Sequence, residues 1–383
     1  MNTNLTNFTN LVRLGIGHQA SLLTEPVDWD AIEVLAKRQG LLGVVYDGAL
    51  STNLLPLTVK LRWMGKVMQG YEQRYVLYRK AVSDLADWYH AHGYQMMLLK
   101  GLACGCDWPK QEHRPYGDID IYLFGRYKEA DAEMVSSFKI QDPSFKIDNS
   151  HHHHTVFQWK GFTVENHYDF VNVHVHRSSR ELEAIFKELA NTNLTNQTNE
   201  VLPSANLHAL FLIRHMMSHF SGASMSLRQV LDWGFFVKAH HDEVDWKWLV
   251  EVLEKYHMKE FFDCINAICV YDLGFQDSCF KFQGSLRSKS QENPIENLLT
   301  NNSQLTTDSK LYTLNSQLKQ RVLNDTLSPE FSEETPKHVW KRVPFKYKRW
   351  KSNSWKRELC YEDGQLRTFM GGVWNHLLKP AGI

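Results

Sequence analysis

Two short apolar runs, Tyr94–Leu99 and Asp118–Phe124, constrain the fold of this chain more than any other feature. Both read as strands, and Lys100-Gly101 turns the chain directly after the first. The second run carries two carboxylates, Asp118 and Asp120, one residue apart. Strand side chains alternate faces, so these two acids point the same way with Cα atoms about 7 Å apart. Ile119 and Ile121 point oppositely, into a core. Two acids held rigidly on one strand face suit a pair of hard cations such as Mg²⁺.

Helical periodicity surrounds these strands. Residues 28–90 read as helices, with Asp28 at the start of one and a longer amphipathic helix over residues 71–93. Helical pattern resumes over residues 101–112 and Tyr127–Phe138, and Gly161–Phe170 alternates as a third strand. Ser204 is placed to cap a helix over residues 205–220, and Leu227–Ala239, Trp246–Lys255 and Lys259–Leu273 continue in the same period. Residues 276–336 are polar and read as an extended or partly helical insertion. Residues 1–10 and 191–199 are polar near-copies of each other, expected to be a mobile tail and a surface loop. The expected class is α+β: a small mixed sheet over residues 94–190, an N-terminal helical segment over 1–93, and a helical domain over 203–275. Residues 276–383 form the polar insertion and a basic, aromatic C-terminal helical region.

Composition narrows the function. The 383 residues, 43% of them hydrophobic, are ample for a packed core. Lys+Arg and Asp+Glu are both 43, which argues against a surface that grips polyanions as a whole. Six scattered cysteines do not form a disulfide framework, and Cys104-Gly-Cys106 has the wrong spacing for a zinc knuckle. The N-terminus lacks a basic start and an apolar stretch, and no run of 18 apolar residues exists. A cytoplasmic protein with reduced thiols and no membrane span is expected.

Taken together, the Lys100-Gly101 turn, Asp118-x-Asp120 and a third acid on a later strand resemble the nucleotidyltransferase fold of the polymerase-beta type. The pattern is similar to an uncharacterised bacterial nucleotidyltransferase-like family with Lys-Gly in place of the more usual Gly-Ser. It is also similar to the toxin nucleotidyltransferases of abortive-infection systems. Leu207-His-x-x-Phe-Leu-x-x-His-x-x-x-His219, followed by Leu227-Arg-Gln-Val-Leu-Asp-Trp233, resembles the helical part of that first family. The resemblance spans roughly residues 10–275 and implies transfer of a nucleoside monophosphate from an NTP to a hydroxyl, releasing pyrophosphate. It implies two Mg²⁺ ions, with Mn²⁺ as a substitute, on Asp118, Asp120 and Glu165. Asp169, on the same face of the third strand as Glu165 and His167, is the fallback for the third acid. Gly101 would let a phosphate approach a helix N-terminus, and Lys100 would contact the triphosphate. Arg114 either contacts a phosphate or pairs with an aspartate. Arg228 either faces the cleft or pairs with Asp232 four residues on.

The acceptor stays open among a small molecule, a tRNA end and a protein side chain. Two other classes stand beside the enzyme: a nucleotide-binding or regulatory module that has lost turnover, and a nucleic-acid-binding protein. The last would use residues 337–357, where nine Lys/Arg interleave with Trp340, Tyr347, Trp350 and Trp355 and no acid occurs. Such a segment suits nucleic acid or a membrane surface, and Pro344 is expected to interrupt any long helix there. The His151–His154 tract is expected to be a solvated loop, with transition-metal binding as the alternative. His208, His215 and His219 share one helix face, expected to serve packing or hydrogen bonding.

Overall fold

Apolar residues at helical spacing build both ends of the chain, and helices enclose a small sheet between them. The computed structural model describes residues 3–140, 142–192, 200–280, 305–331, 336 and 338–364. The chain opens with α1 (Thr3–Gly15), α2 (Trp29–Gln39), α3 (Leu42–Leu50) and α4 (Leu57–Val67). Asp28 caps α2 by accepting from the Ala31 amide at 3.0 Å. A π turn at Met68–Glu72 carries α4 into α5 (Gln73–Ala91).

The expected mobile tail is instead helix α1. Its Phe8, Leu11 and Val12 are fully buried, and the buried Asn7 amide exchanges two 2.8 Å hydrogen bonds with the Thr24 backbone. A Cβ on Gly15 would lie 1.9 Å from the Val44 carbonyl oxygen, and one on Gly48 would lie 2.0 Å from that of Leu11. Glycines therefore let α1 and α3 cross backbone against backbone. Of the near-copy at 191–199, residues 193–199 lie outside the described residues.

The protein is α+β. Its mixed sheet contains β1 (Met96–Leu98), β2 (Ile119–Tyr122), β3 (His154–Trp159), β4 (Phe162–His167) and β5 (Glu200–Val201), in the order β3-β4-β2-β1-β5. β2 and β4 are parallel, as are β1 and β5; β1–β2 and β3–β4 are antiparallel. The helix expected over residues 101–112 contracts to a single turn, α6 (Leu102–Gly105). Pro109 disfavours helix in the residue before it, and the loop is held from outside, with His113 Nδ1 2.6 Å from Asp47. α7 (Tyr127–Lys139) follows β2, and α8 (Ser179–Thr192) follows β4. Strand β3 was not anticipated: it begins inside the histidine tract that was read as loop.

Sheet alternation separates two cores. Met96, Leu98, Ile119, Ile121 and Val164 pack with Tyr78 and Leu85 of α5 and Met134 of α7. Met97, Leu99 and Tyr122 join a larger core shared by α1–α4 and the C-terminal helices. Those helices are α9 (Ala205–Gly222), α10 (Leu227–His240), α11 (Trp246–Lys255) and α12 (Lys259–Ala267), the last extended by a π turn at Ile268–Asp272. Residues 281–304 of the polar stretch lie outside the described residues, whereas α13 (Leu305–Leu327) docks through Val322, Leu323 and Leu327.

In the basic segment, α14 (Val339–Ser352) continues through Pro344, against expectation, and α15 (Ser354–Cys360) follows. Two of its basic residues turn inward, while Lys346, Lys348 and Lys351 stay exposed. Lys356 is fully buried with Nζ 2.6 Å from Asp325, and the Arg357 guanidinium lies 4.5 Å over the Trp350 ring. All six cysteines are free thiols. No helix among the described residues is long and apolar enough to cross a membrane.

Candidate active site

The parallel pairing of β2 with β4 sets Asp120 directly beside Glu165, and Tyr122 beside His167. Because Ile119 and Ile121 occupy the opposite face, Asp120 points away from the α5–α7 core. Ligand atoms of Asp120, Glu165 and His167 all come within 4.8 Å of one another. Lys100, just past the end of β1, brings Nζ to 2.5 Å from Asp120 Oδ1. His167 Nε2 is 3.3 Å from the same oxygen and 3.6 Å from Glu165 Oε2. Asp118 stands outside this cluster, exposed at the start of β2, and its carboxylate has no hydrogen-bond or ion-pair partner among the described residues.

The charges divide by position. Burial works against ionised Asp120, but Lys100 and His167 outweigh it and hold the carboxyl well below the usual range. The His167 hydrogen bond holds Glu165 low against its own burial. His167 is raised: burial opposes its charge, and the hydrogen bonds to Asp120 and Glu165 overcome that. Asp118 moves the other way, raised by burial and by the nearby Glu165 and Asp120 charges. Two carboxylates thus converge on Lys100 and His167, and Asp118 borders them with only the more distant charges of Lys100 and Arg74 to offset theirs.

The glycine turn is required by contact as well as by φ. Gly101 has φ +64° and ψ −112°, and a Cβ there would lie 2.1 Å from Tyr78 Oη. Tyr78 Oη donates to the Asp118 carbonyl at 2.9 Å, so this tyrosine fastens the turn after β1 to the start of β2.

The profile of a family described as an uncharacterised nucleotidyltransferase matches residues 25–271. The chain belongs to that family. No curated protein and no solved structure matched the chain. The matched span contains every residue of the cluster described above.

The two arginines have separate fates. Arg114 is buried and pairs with Asp232 through one guanidinium edge, Nε to Oδ1 at 2.7 Å and Nη2 to Oδ2 at 3.0 Å. Trp108 Nε1 donates to the same carboxylate at 2.9 Å. This bidentate bond ties the loop after α6 to α10 and turns the Arg114 charge inward. Asp232 therefore does not pair with Arg228, as the four-residue spacing had suggested. Arg228 lies half-buried in the first turn of α10 and makes no hydrogen bond or ion pair among the described residues. Loss of water and the nearby Arg114 charge lower its pKa. A cation at a helix N-terminus opposes the helix dipole, so the helix itself does not favour it there.

His215 and His219 of α9 line the same cleft, with ring centroids 4.5 Å apart. Loss of bulk water, and then the positive charge of Lys100, hold both below the ordinary histidine value. His208, two turns earlier, is buried with Nε2 3.7 Å from Cys104 Sγ. Asp169 leaves the site because β4 ends at His167, and it pairs with Lys187 at 2.5 Å.

His153 and His154, expected in a solvated loop with transition-metal binding as the alternative, stand beside this cluster. Ligand atoms of His153, His154 and His167 also lie within 4.8 Å of one another. The signal was the spacing: a histidine tract six residues before Lys160-Gly161, with His167 six residues after that turn, folds into a hairpin with His154 opposite His167.

The donor set fits a divalent cation. Asp120 and Glu165 set two carboxylates side by side, and Asp118 borders them without a direct ion pair among the described residues, within reach of the Lys100 and Arg74 charges. Oxygen donors of this kind suit Mg²⁺ or Mn²⁺, and the His167 imidazole beside them adds a softer donor.

Proposed function

We propose that this chain transfers a nucleoside monophosphate from an NTP to a hydroxyl acceptor, with release of pyrophosphate. The observation that carries the reading is the pairing of Asp120 with Glu165, beside Lys100, with Arg228 near enough to sense the Asp120 charge and without an ion pair among the described residues. Asp118, Asp120 and Glu165 would hold Mg²⁺ or Mn²⁺, which neutralises triphosphate charge and acidifies the acceptor hydroxyl when bound. Arg228 binds triphosphate oxygens with a guanidinium that has no carboxylate to release first. Lys100 exchanges its contact with Asp120 for a phosphate oxygen. The acceptor oxygen bonds the α-phosphorus as the bond from that phosphorus to the α–β bridging oxygen breaks. Glu165, held ionised by His167, accepts the hydroxyl proton. Tyr78 and the Gly101 turn position Asp118.

The test is incubation with each α-labelled NTP, Mg²⁺ or Mn²⁺ and a cell extract, comparing the protein with Asp118→Asn/Asp120→Asn. Label transferred only by the unsubstituted protein is expected. Equal labelling by both would refute the site.

One contact favours a second reading. The Lys100 ammonium rests on Asp120 where a cation would otherwise be, an arrangement suited to a module that binds nucleotide without turnover. That module predicts NTP-dependent stabilisation with no label transfer to any acceptor.

A further inference from the structure

We propose that His153, His154 and His167 form a binding site for a transition-metal ion of the zinc class, abutting the carboxylate cluster. The hairpin builds it. β3 and β4 pair with His154 opposite His167, which places both side chains on one face of the sheet. The His153 carbonyl accepts from the Tyr168 and Asp169 amides at 3.0 and 3.1 Å, fixing the backbone of His153 against the end of β4. The three residues then bring ligand atoms within 4.8 Å of one another.

Burial makes this more than a surface histidine cluster. His154 is 7% exposed and His167 4%. The Nδ1 atoms of His153 and His154 are buried with no hydrogen-bond partner. A buried imidazole nitrogen without a partner is costly, and two residues of this cluster each carry one. A metal ion satisfies both lone pairs. Tetrahedral zinc with Zn–N bonds of about 2.0–2.1 Å holds its donors roughly 3.4 Å apart. Donor atoms within 4.8 Å of one another need close by no more than about 1.4 Å to reach that geometry.

The donor chemistry sets the class of ion. Imidazole suits zinc, cobalt, nickel and copper, whereas Mg²⁺ prefers oxygen. His167 is shared, since it also touches Asp120 and Glu165. Filling the site would take its ring from those carboxylates and leave them freer to bind a second cation. The site does not depend on nucleotidyl transfer, and its test reads no activity.

The untagged full chain is stripped with a chelator and titrated with Co²⁺, then Zn²⁺. One equivalent of Co²⁺ should produce the visible absorption of a low-coordinate site, and Zn²⁺ should abolish it. Mg²⁺ in large excess should not. His153→Asn/His154→Asn should weaken Zn²⁺ binding by more than about a hundredfold, beyond the roughly 10–100-fold that a change in an outer-shell partner costs. His151→Asn/His152→Asn, in the same tract but outside the cluster, should leave it unchanged. X-ray absorption at the zinc edge of the unsubstituted protein should show three imidazoles in the first shell, a result independent of whether any variant folds. Absence of stoichiometric Co²⁺ binding, equal loss in both double variants, or fewer than two imidazoles at the zinc edge would overturn the proposal. None of those failures touches the labelling test for nucleotidyl transfer.

Discussion

Substituting Gly101 with alanine tests how the carboxylate-bearing strand is held. The new Cβ would lie 2.1 Å from Tyr78 Oη, 3.0 Å from Cζ and 3.3 Å from Cε1. Three costs follow. A residue with a Cβ at φ +64° and ψ −112° is strained by about 1–3 kcal/mol. Displacing the tyrosine in a packed core adds about 1–3 kcal/mol. Losing the 2.9 Å bond from Oη to the Asp118 carbonyl adds about 0.5–1.5 kcal/mol. Gly101→Ala should therefore destabilise the chain by about 3–6 kcal/mol. Tyr78→Phe removes the oxygen and leaves contacts that a small shift accommodates, so alone it should cost about 1 kcal/mol. In that background Gly101→Ala should cost only about 1–3 kcal/mol, mostly backbone strain. Urea unfolding followed by tryptophan fluorescence, run on all four members of the cycle, gives a coupling energy of about 2 kcal/mol if the contact acts as described. Costs that add to within about 0.5 kcal/mol would refute it, because the two residues would then be independent.

Further perturbations separate structure from binding. Arg228→Gln should leave the melting temperature unchanged or slightly raised, because a cation leaves the α10 N-terminus; it should lose most NTP-dependent stabilisation in a thermal-shift titration. Asp232→Ala strands the buried Arg114 guanidinium and should cost about 3–5 kcal/mol, read as a lowered urea midpoint. His113, between Asp47 and Glu72, has a raised pKa because these hydrogen bonds outweigh burial, which opposes its charge. Its contribution to stability is full below the unfolded value of about 6.5 and lost as pH rises through the folded value. His113→Gln should flatten stability between pH 6 and 8, measured by urea midpoints across that range. Glu33 is held at about 2: burial opposes its ionisation, and Lys37, Lys66 and Trp63 outweigh that. Its contribution is present above the unfolded value and fades as pH falls toward 2, so Glu33→Gln should flatten the acid limb of the same profile.

Local pattern was enough to read β1, β2, β4 and most helices. Trp246–Lys255 forms a helix over the residues its periodicity indicates, and Met96–Leu98 and Ile119–Tyr122 lie inside the apolar runs that announced them. The failures share one cause, which is polar residues whose partners are distant in sequence. Asn7 looks like tail until Thr24 is placed beside it. Arg228 and Asp232 look like an i, i+4 pair until Arg114 arrives 118 residues upstream of Asp232. His153 and His154 look like solvated loop until the hairpin brings His167 across. Asp169 shares the alternation of Glu165 only while the strand continues, and it stops two residues short. Of the seven residues singled out as candidates, Lys100, Asp120 and Glu165 converge directly. Asp118 borders them, Gly101 holds the turn, Arg228 waits across the cleft and Arg114 turns inward.

The chemistry of this site turns on the competition for Asp120. One oxygen receives both Lys100 at 2.5 Å and His167 at 3.3 Å, so a cation must displace or outbid a positive group already present. An incoming triphosphate changes that balance, because its negative charge offers Lys100 another partner in the same cleft. Nucleotide and cation would then bind with positive coupling, each raising the other's affinity by the same factor. Under the proposed function Arg228 would strengthen this coupling: with no ion pair to release among the described residues, it would add phosphate affinity at no such cost. His167 works in the opposite direction, since protonation ties it to Asp120 and Glu165 and neutralises them. Raising the pH through its elevated pKa should free both carboxylates. Cation-dependent NTP binding should accordingly strengthen with pH in this protein and lose that dependence in His167→Gln. Binding that weakens with rising pH, or a dependence unaltered in the variant, would show that His167 does not gate the site.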